Sequence, residues 1–392
     1  MRIAFYAPLK SPTHETPSGD RRVARLLMDA LRLGGHCVEM VSDFRSFEGD
    51  GDAVRQTRLR DQGLAIAQAL VLQWRDGSRG DRPDVWFTYH LYYKAPDWLG
   101  PEVSAALDIP YVIFEASYAS KRAGGAWAVG HEATRHAIEL ASLLLCPTRD
   151  DMEGVERVAG AATRVLQLAP FLDPAAYRAA QRARAAHRAA LCAAYGVSAQ
   201  ADWIVVAAMM RPGDKLASYR VLADVLRSLM DLPWQLVVAG DGVARVEVQG
   251  LLEAAAPGRA FFAGLCNEQA MLSIYGAGDL CIWPAVNEAY GMAMLEAQAA
   301  GMPVVSCAVR GVPDVVCDGR TGLLAAPGDV AGLADLVRRL LLDVPKRTAM
   351  GKAAAQFVQG ERSTARAAEL LNAAFAGLGG GRSMLSGGVT PA

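Results

Sequence analysis

The chain has 392 residues, too many for one ordinary core and enough for two domains of roughly 150 to 200 residues each. A formal charge of -1, a pI near 6.6 and 52% apolar residues describe a folded globular protein and leave no global basic field to attract nucleic acid. Seven scattered cysteines, never in a CxxC pair, argue against a disulfide framework or a zinc site; they suit a reducing, cytoplasmic compartment, and with no uncharged apolar run near the ~18 residues of a membrane span, any membrane contact is expected to be peripheral.

"MRIAFYAP" reads as a first strand, and "CVEMVSD", "DVWFTYH", "YVIFEAS", "SLLLCPT" and "RVLQLAP" follow it as short apolar runs separated by helical stretches. Such runs, apolar on both faces, predict a parallel sheet for a first domain over 1–175. Between the first two strands, "SPTHETPSGDRRVARLL" is a long polar loop that enters a helix through Ser18, Gly19 and Asp20. Gly19 would let a phosphate approach the backbone, or the segment is simply a capped helix start. His90 ends the third strand, where a lone histidine serves a ligand or the structure alike. His36 precedes a strand and reads as a turn residue. Asp50-Gly51-Asp52 follows no apolar strand and reads as a solvated acidic loop rather than a metal site, so no metal is expected. Arginines at 55, 58, 60, 75, 79 and 82 hint at an anionic or lipid-linked acceptor at a membrane surface, although a solvated face is the plainer account of them.

Residues 176–196 are Ala- and Arg-rich, lack a continuous apolar stripe and read as a connection that ends at Gly196. A second alternating series, "DWIVVAAMM", "WQLVVAG", "AFFAGL", "DLCIWPA" and "PVVSCAV", predicts a second doubly wound domain over 197–361. Beyond it lies a helix over 363–376, capped by Ser363 or Thr364, with Ala368, Leu371 and Phe375 on its apolar face. The Gly/Ser-rich tail, 377–392, is expected to be disordered.

Ligands of parallel sheets collect at the carboxyl ends of the strands. In the loop after "DLCIWPA", Glu288 precedes Gly291, and Glu296 lies in the helix that follows. The free N–H groups at Tyr290 to Ala293 suit a phosphate, and the two carboxylates suit the hydroxyls of a sugar; a cap acid and a solvated helical acid are the plainer alternative. After "DWIVVAAMM" come Arg211 and Lys215, four apart and able to reach one anion. Only six of the 40 basic residues are lysines, which gives Lys215 some weight against surface filler. Two cations beside a helix N-terminus would stabilise a departing diphosphate.

"PAVNEAYGMAMLEAQAAGMPVVSCAVRGVPDVV" resembles the signature of the retaining family 4 glycosyltransferases, E-x7-E followed by A-x-G-x-P-V-V and G-x-x-E. With "MRPGDK", "VVAGDGV", "FFAGL" and "GAGDLCIWPA" the resemblance covers nearly the whole second domain; the first matches mainly in strand order and "GGHCVEMV". It implies the GT-B fold, two doubly wound Rossmann-like α/β domains facing a central cleft, with the last helix packing back on the first domain. By position, Glu296 would hold ribose hydroxyls, Glu288 the donor sugar, amides at Tyr290, Gly291 and Met292 the sugar and diphosphate, Arg211 and Lys215 the diphosphate, the backbone at Leu265 and Cys266 the base, and His90 the sugar. It implies transfer from a nucleoside diphosphate sugar to an acceptor glycan, lipid-linked or small, with retention and without metal. The chain departs from the pattern at Arg310-Gly311, where the family has Gly-Gly, at Asp314 for Glu, at Ala289, often Gly in the family, and in a shorter gap between Arg211 and Lys215. A nicotinamide dehydrogenase fails on Arg245 in place of the third glycine of its fingerprint and Phe262 near the expected ribose acid. A sugar-nucleotide epimerase of the same fold and a non-catalytic nucleotide-sugar-binding protein remain as alternatives.

Overall fold

The computed structural model describes residues 1–15, 19–77 and 81–378, so that Ser18, Arg79 and the tail from residue 379 lie outside the described residues. The chain divides into two compact units, Met1–Leu168 with the C-terminal segment from Thr364, and Ala169–Ser363.

The first unit is built on a six-stranded sheet of β1 (Arg2–Tyr6), β2 (Cys37–Ser42), β3 (Val85–Leu91), β4 (Tyr111–Ala116), β5 (Leu143–Cys146) and β6 (Arg164–Gln167), in the order β2-β1-β3-β4-β5-β6. Every pair is parallel. Phe5, Val85, Trp86 and Phe87 are completely buried, as strands covered by helices on both faces must be. The order reverses between β1 and β3. A crevice opens there at the carboxyl ends of the strands, because the connections leave β1 and β3 toward opposite faces.

The second unit repeats the plan with β7 (Asp202–Ala207), β8 (Trp234–Ala239), β9 (Ala260–Gly264), β10 (Leu280–Trp283), β11 (Val304–Cys307) and β12 (Gly322–Ala325), in the order β12-β11-β10-β7-β8-β9. Its reversal lies between β7 and β10. The four-residue edge strand β12 was not foreseen: "GLLA" is too short to stand out and follows directly on a polar turn.

The Ala/Arg-rich stretch is two helices, Ala175–Arg182 and Arg184–Tyr195, and both belong to the second unit rather than to a free connection. The first packs its buried Tyr177 and Ala180 against the helix Glu268–Ala277, and charge helps to hold the second. Arg184 and Arg188 both donate to the Asp279 carboxylate, at 2.5 and 2.8 Å, and that carboxylate also accepts from the Trp203 amide at 2.8 Å. Arg188 lies 4.2 Å from the centre of the Trp203 ring.

The final helix, Thr364–Ala376, packs in the first unit against the helix Gly19–Leu33. His36, which reads as a turn residue, anchors it: Nε2 lies 2.7 Å from Asn372 Oδ1, while Asn372 Nδ2 donates to the Gly34 carbonyl at 3.0 Å. Phe375, 3% exposed, meets the rings of His36 and Phe87. Phe375→Ala is therefore expected to cost about 3 to 5 kcal/mol, read as a lower urea midpoint for the first unit. The half-exposed Leu370→Ala is expected to shift it little.

Candidate active site

The reversal points decide which loops meet, and in the second unit they join the loop after β7 to the loop after β10. Lys215 opens the helix Asp214–Arg227, and its Nζ donates to Glu288 Oε2 at 2.5 Å. Trp283, the last residue of β10, donates its indole N–H to the same oxygen at 3.0 Å, and Lys215 Nζ lies 5.2 Å from the centre of its ring. Glu288 is thus held by two donors at 17% side-chain exposure. Two further bonds tie the loops: Val286 N donates to Ser218 Oγ at 3.0 Å, and Asn287 Nδ2 to Asp214 Oδ2 at 2.8 Å.

This tethering sustains an unusual backbone. Ala285 and Asn287 stand at φ 58° and 59°, in the left-handed region that L side chains avoid. Such residues cost of order 1 kcal/mol or more and persist only where the surroundings over-determine them. Gly291, at φ 73°, makes the turn into the helix Met292–Ala299; a Cβ there would lie 2.1 Å from Met294 Cε. The turn "AGDG" after β8 needs its glycines for another reason. Cβ atoms on Gly240 and Gly242 would fall 1.9 and 2.3 Å from the carbonyls of Ala208 and Met210, because this loop lies backbone to backbone against the one after β7.

Arg211 is exposed, and no carboxylate among the described residues pairs with it. Tyr290, Gly291 and Met292 are half-buried at the helix entry. Glu296 is only 7% exposed; burial first and then the Glu296 carboxylate push the Tyr275 phenol well above its usual range, and the same two causes raise the Cys281 thiol to about 12. The structure therefore brings Lys215 and Glu288 into contact and leaves Glu296 largely buried. After β9, Leu265 is 85% exposed and Cys266 half-buried. Trp283, Asn287 and Asp214 were missed. A tryptophan ending a buried strand could have flagged the first, whereas side-chain bonds between loops leave no local signal.

In the first unit the reversal point carries His90, at φ 58° and 19% side-chain exposure. Nδ1 lies 2.9 Å from Asp20 Oδ1 and 3.7 Å from Glu115 Oε1. Burial alone would lower the imidazole pKa. Glu115, Asp20 and more distant Asp151 outweigh it and raise the value to about 8, while the hydrogen bond to His90 holds the Asp20 carboxyl below its usual range. His90 is thus mostly an imidazolium at neutral pH. Glu115, itself at φ 62°, was missed, although an acid ending the buried run "YVIFEAS" is a visible signal. Gly19 starts the helix that carries Asp20; a Cβ there would meet nothing within 4 Å among the described residues, so packing does not demand a glycine.

Asp52 caps the helix Ala53–Asp76, accepting from the amides of Val54 and Arg55. Among the described residues no group of three or more His, Cys, Asp or Glu side chains is arranged to hold a metal ion.

Residues 216–357 match a family model described as glycosyl transferases group 1. The chain is 42% identical over 104 residues to a D-inositol 3-phosphate glycosyltransferase of Corynebacterium aurimucosum, covering 26% of this chain and 25% of that protein. It is 34% identical over 136 residues to the sulfoquinovosyl transferase SQD2 of Arabidopsis thaliana, covering 33% and 26%. With the alpha-D-kanosaminyltransferase of Streptomyces kanamyceticus it shares 29% identity over 251 residues, 63% of each. The chain thus spans about a quarter of the length of the first two relatives. Among solved structures, the sucrose-phosphate synthase of Thermosynechococcus elongatus superposes with a TM-score of 0.70 at 19% identity, covering 96% of this chain and 98% of that one. WaaG, a glycosyltransferase involved in lipopolysaccharide biosynthesis, gives 0.65 at 18% identity, covering 96% and 100%. The fold is GT-B, two Rossmann-like units, and the relatives are glycosyltransferases.

The His90 cluster generates a pH test. Since its folded pKa of about 8 lies above the unfolded value of about 6.5, its stabilisation is fully present below pH 6.5 and is lost as pH rises through 8. Asp20→Asn should lower the His90 titration seen by NMR and destabilise the first unit most near pH 6. A wild-type His90 that titrates at or below 6.5 would contradict the ion pair.

Proposed function

We propose that the chain is a retaining glycosyltransferase of the family 4 kind, moving a sugar from a nucleoside diphosphate sugar to an acceptor hydroxyl. The observation that carries this reading is the Lys215–Glu288 contact at the reversal point of the second sheet, beside exposed Arg211 and the entry of the helix Met292–Ala299. A cation held against an acid by an indole is preorganised for charge that develops on a neighbouring oxygen. Arg211, Lys215 and the amides at Tyr290 to Met292 take the diphosphate, and Glu288 takes a donor-sugar hydroxyl. Glu296 takes the ribose. Leu265 and Cys266 flank the base.

Catalysis then consists of positioning and charge screening, with the leaving diphosphate helping to deprotonate the acceptor, so neither a covalent nucleophile nor a metal is required. The likeness to Anabaena HepE solved with UDP-glucose, a TM-score of 0.69 at 17% identity over 96% of this chain and all of that one, supports a nucleotide sugar as donor. One relative is named for D-inositol 3-phosphate and WaaG for lipopolysaccharide biosynthesis, which do not point to one acceptor class; a glycan, lipid-linked or small, is the reading retained. No helix among the described residues is long and apolar enough to cross a membrane, and we place the enzyme in the cytoplasm, with any membrane contact peripheral. His90, paired with two acids at the strand ends of the first unit, is kept as a separate candidate position.

Incubation with a panel of nucleotide sugars and acceptors tests the reading directly. Transfer is expected to fall about 10²- to 10³-fold in Lys215→Met, the loss typical of one preorganised charge stabiliser, and to survive EDTA. Glu296→Ala should weaken nucleoside diphosphate binding by about 1.5 to 3 kcal/mol in calorimetry. Interconversion of donor sugars without an acceptor would point to an epimerase, and tight binding without turnover to a non-catalytic protein.

A further inference from the structure

Arg310 has no role in the chemistry so far described. It stands in the loop after β11, at φ 45°, where glycine would be unstrained and arginine is not. Its guanidinium is exposed. Nη1 makes a long bond, 3.3 Å, to Asn287 Oδ1, and no carboxylate among the described residues pairs with it. Asn287 is itself held by Asp214 at 2.8 Å and precedes Glu288, so a chain of side chains runs from the loop after β7, through the loop after β10, to Arg310. Both residues on that chain with left-handed backbones, Asn287 and Arg310, are non-glycine. Asparagine adopts this region readily but arginine rarely does, so Arg310 is the strained position, and such strain marks a place where side-chain direction matters.

Strand order gives the chain its meaning. In the sequence β11-β10-β7 along the sheet, Glu288 belongs to the middle strand's loop, Arg211 and Lys215 to one neighbour and Arg310 to the other. Neighbouring strands lie about 4.8 Å apart, so the loops after β7 and β11 leave the sheet roughly 10 Å apart, with the Glu288 loop between them. That span is about the size of one pyranose plus its linkage. If the diphosphate rests on Arg211 and Lys215 and the sugar over Glu288, Arg310, on the other flank of the Glu288 loop, is placed for the sugar rather than the phosphates.

We propose that Arg310, aimed by Asn287, is a specificity-determining residue that selects a donor whose transferred sugar carries an anionic group, such as the carboxylate of a hexuronate. The proposal rests on the diphosphate placement above. A planar guanidinium meets a carboxylate with two parallel N–H donors, a geometry that a neutral hydroxymethyl group cannot use.

Calorimetry separates this from the reading beneath it. UDP, GDP, ADP and dTDP are first ranked on the intact chain, and the glucose and glucuronate esters of the tightest are then compared. The wild type is expected to bind the glucuronate ester at least tenfold more tightly than the glucose ester. Arg310→Gly, which suits the left-handed backbone and should fold at least as stably, is expected to bring the two within twofold while leaving the free diphosphate unchanged; Arg310→Lys should keep part of the preference. Equal affinities in the wild type, or a preference for glucose, would overturn the proposal. So would Arg310→Gly weakening the free diphosphate, which would make Arg310 a phosphate ligand. Failure of all four diphosphates to bind would instead overturn the diphosphate site itself.

Discussion

Lys215 and Glu288 come from loops 73 residues apart in sequence, and their 2.5 Å contact exists because the second sheet reverses its strand order between β7 and β10. Two connections that leave neighbouring strands toward opposite faces leave an open crevice at the strand ends, and the pair sits in it. Around the pair the protein supplies fixed partners rather than solvent: the Trp283 N–H on the acid, the indole face near the ammonium, and the Ser218 and Asp214 bonds that clamp the loop. Partial burial makes these interactions stronger than their equivalents in water, and it makes the removal of one partner more damaging than the pair's net contribution would suggest.

The cost of that arrangement is visible in the backbone. Ala285, Asn287 and Arg310 stand in left-handed conformations around one crevice of the second unit, and His90 and Glu115 do so at the strand ends of the first. Strain of this kind concentrates where side-chain direction matters more than stability. The glycines near the site do different work. Gly240 and Gly242 permit backbone to lie on backbone, and Gly291 makes the left-handed turn from which the following helix starts.

Much of the fold was legible because parallel strands buried on both faces leave uninterrupted apolar runs such as "YVIFEAS" and "DLCIWPA". β12 escaped because a four-residue edge strand carries too little of that signal. The helices Ala175–Arg182 and Arg184–Tyr195 read as a connection because the first buries only Tyr177 and Ala180 and the second relies on a pair of arginines on the distant Asp279, a tertiary fact that periodicity does not encode. For the site, strand-end loops and residue chemistry pointed to Lys215, Glu288 and His90. Spacing could not say that Glu296 is largely buried, or that Glu115 and Asp20 raise the His90 imidazole above its ordinary pKa. These depend on which face of a helix or loop meets which strand end.

The central claim is that Lys215 and Glu288 act as one unit on a bound diphosphate. A double-mutant cycle of Lys215→Met and Glu288→Gln, read by calorimetry with the nucleoside diphosphate that binds most tightly, tests it directly. The account predicts that the two effects fail to add, with a coupling of about 1 kcal/mol or more, as expected for residues in contact within one network. Effects that add to within about 0.3 kcal/mol, or a Lys215→Met variant that binds the diphosphate as tightly as the wild type, would contradict it.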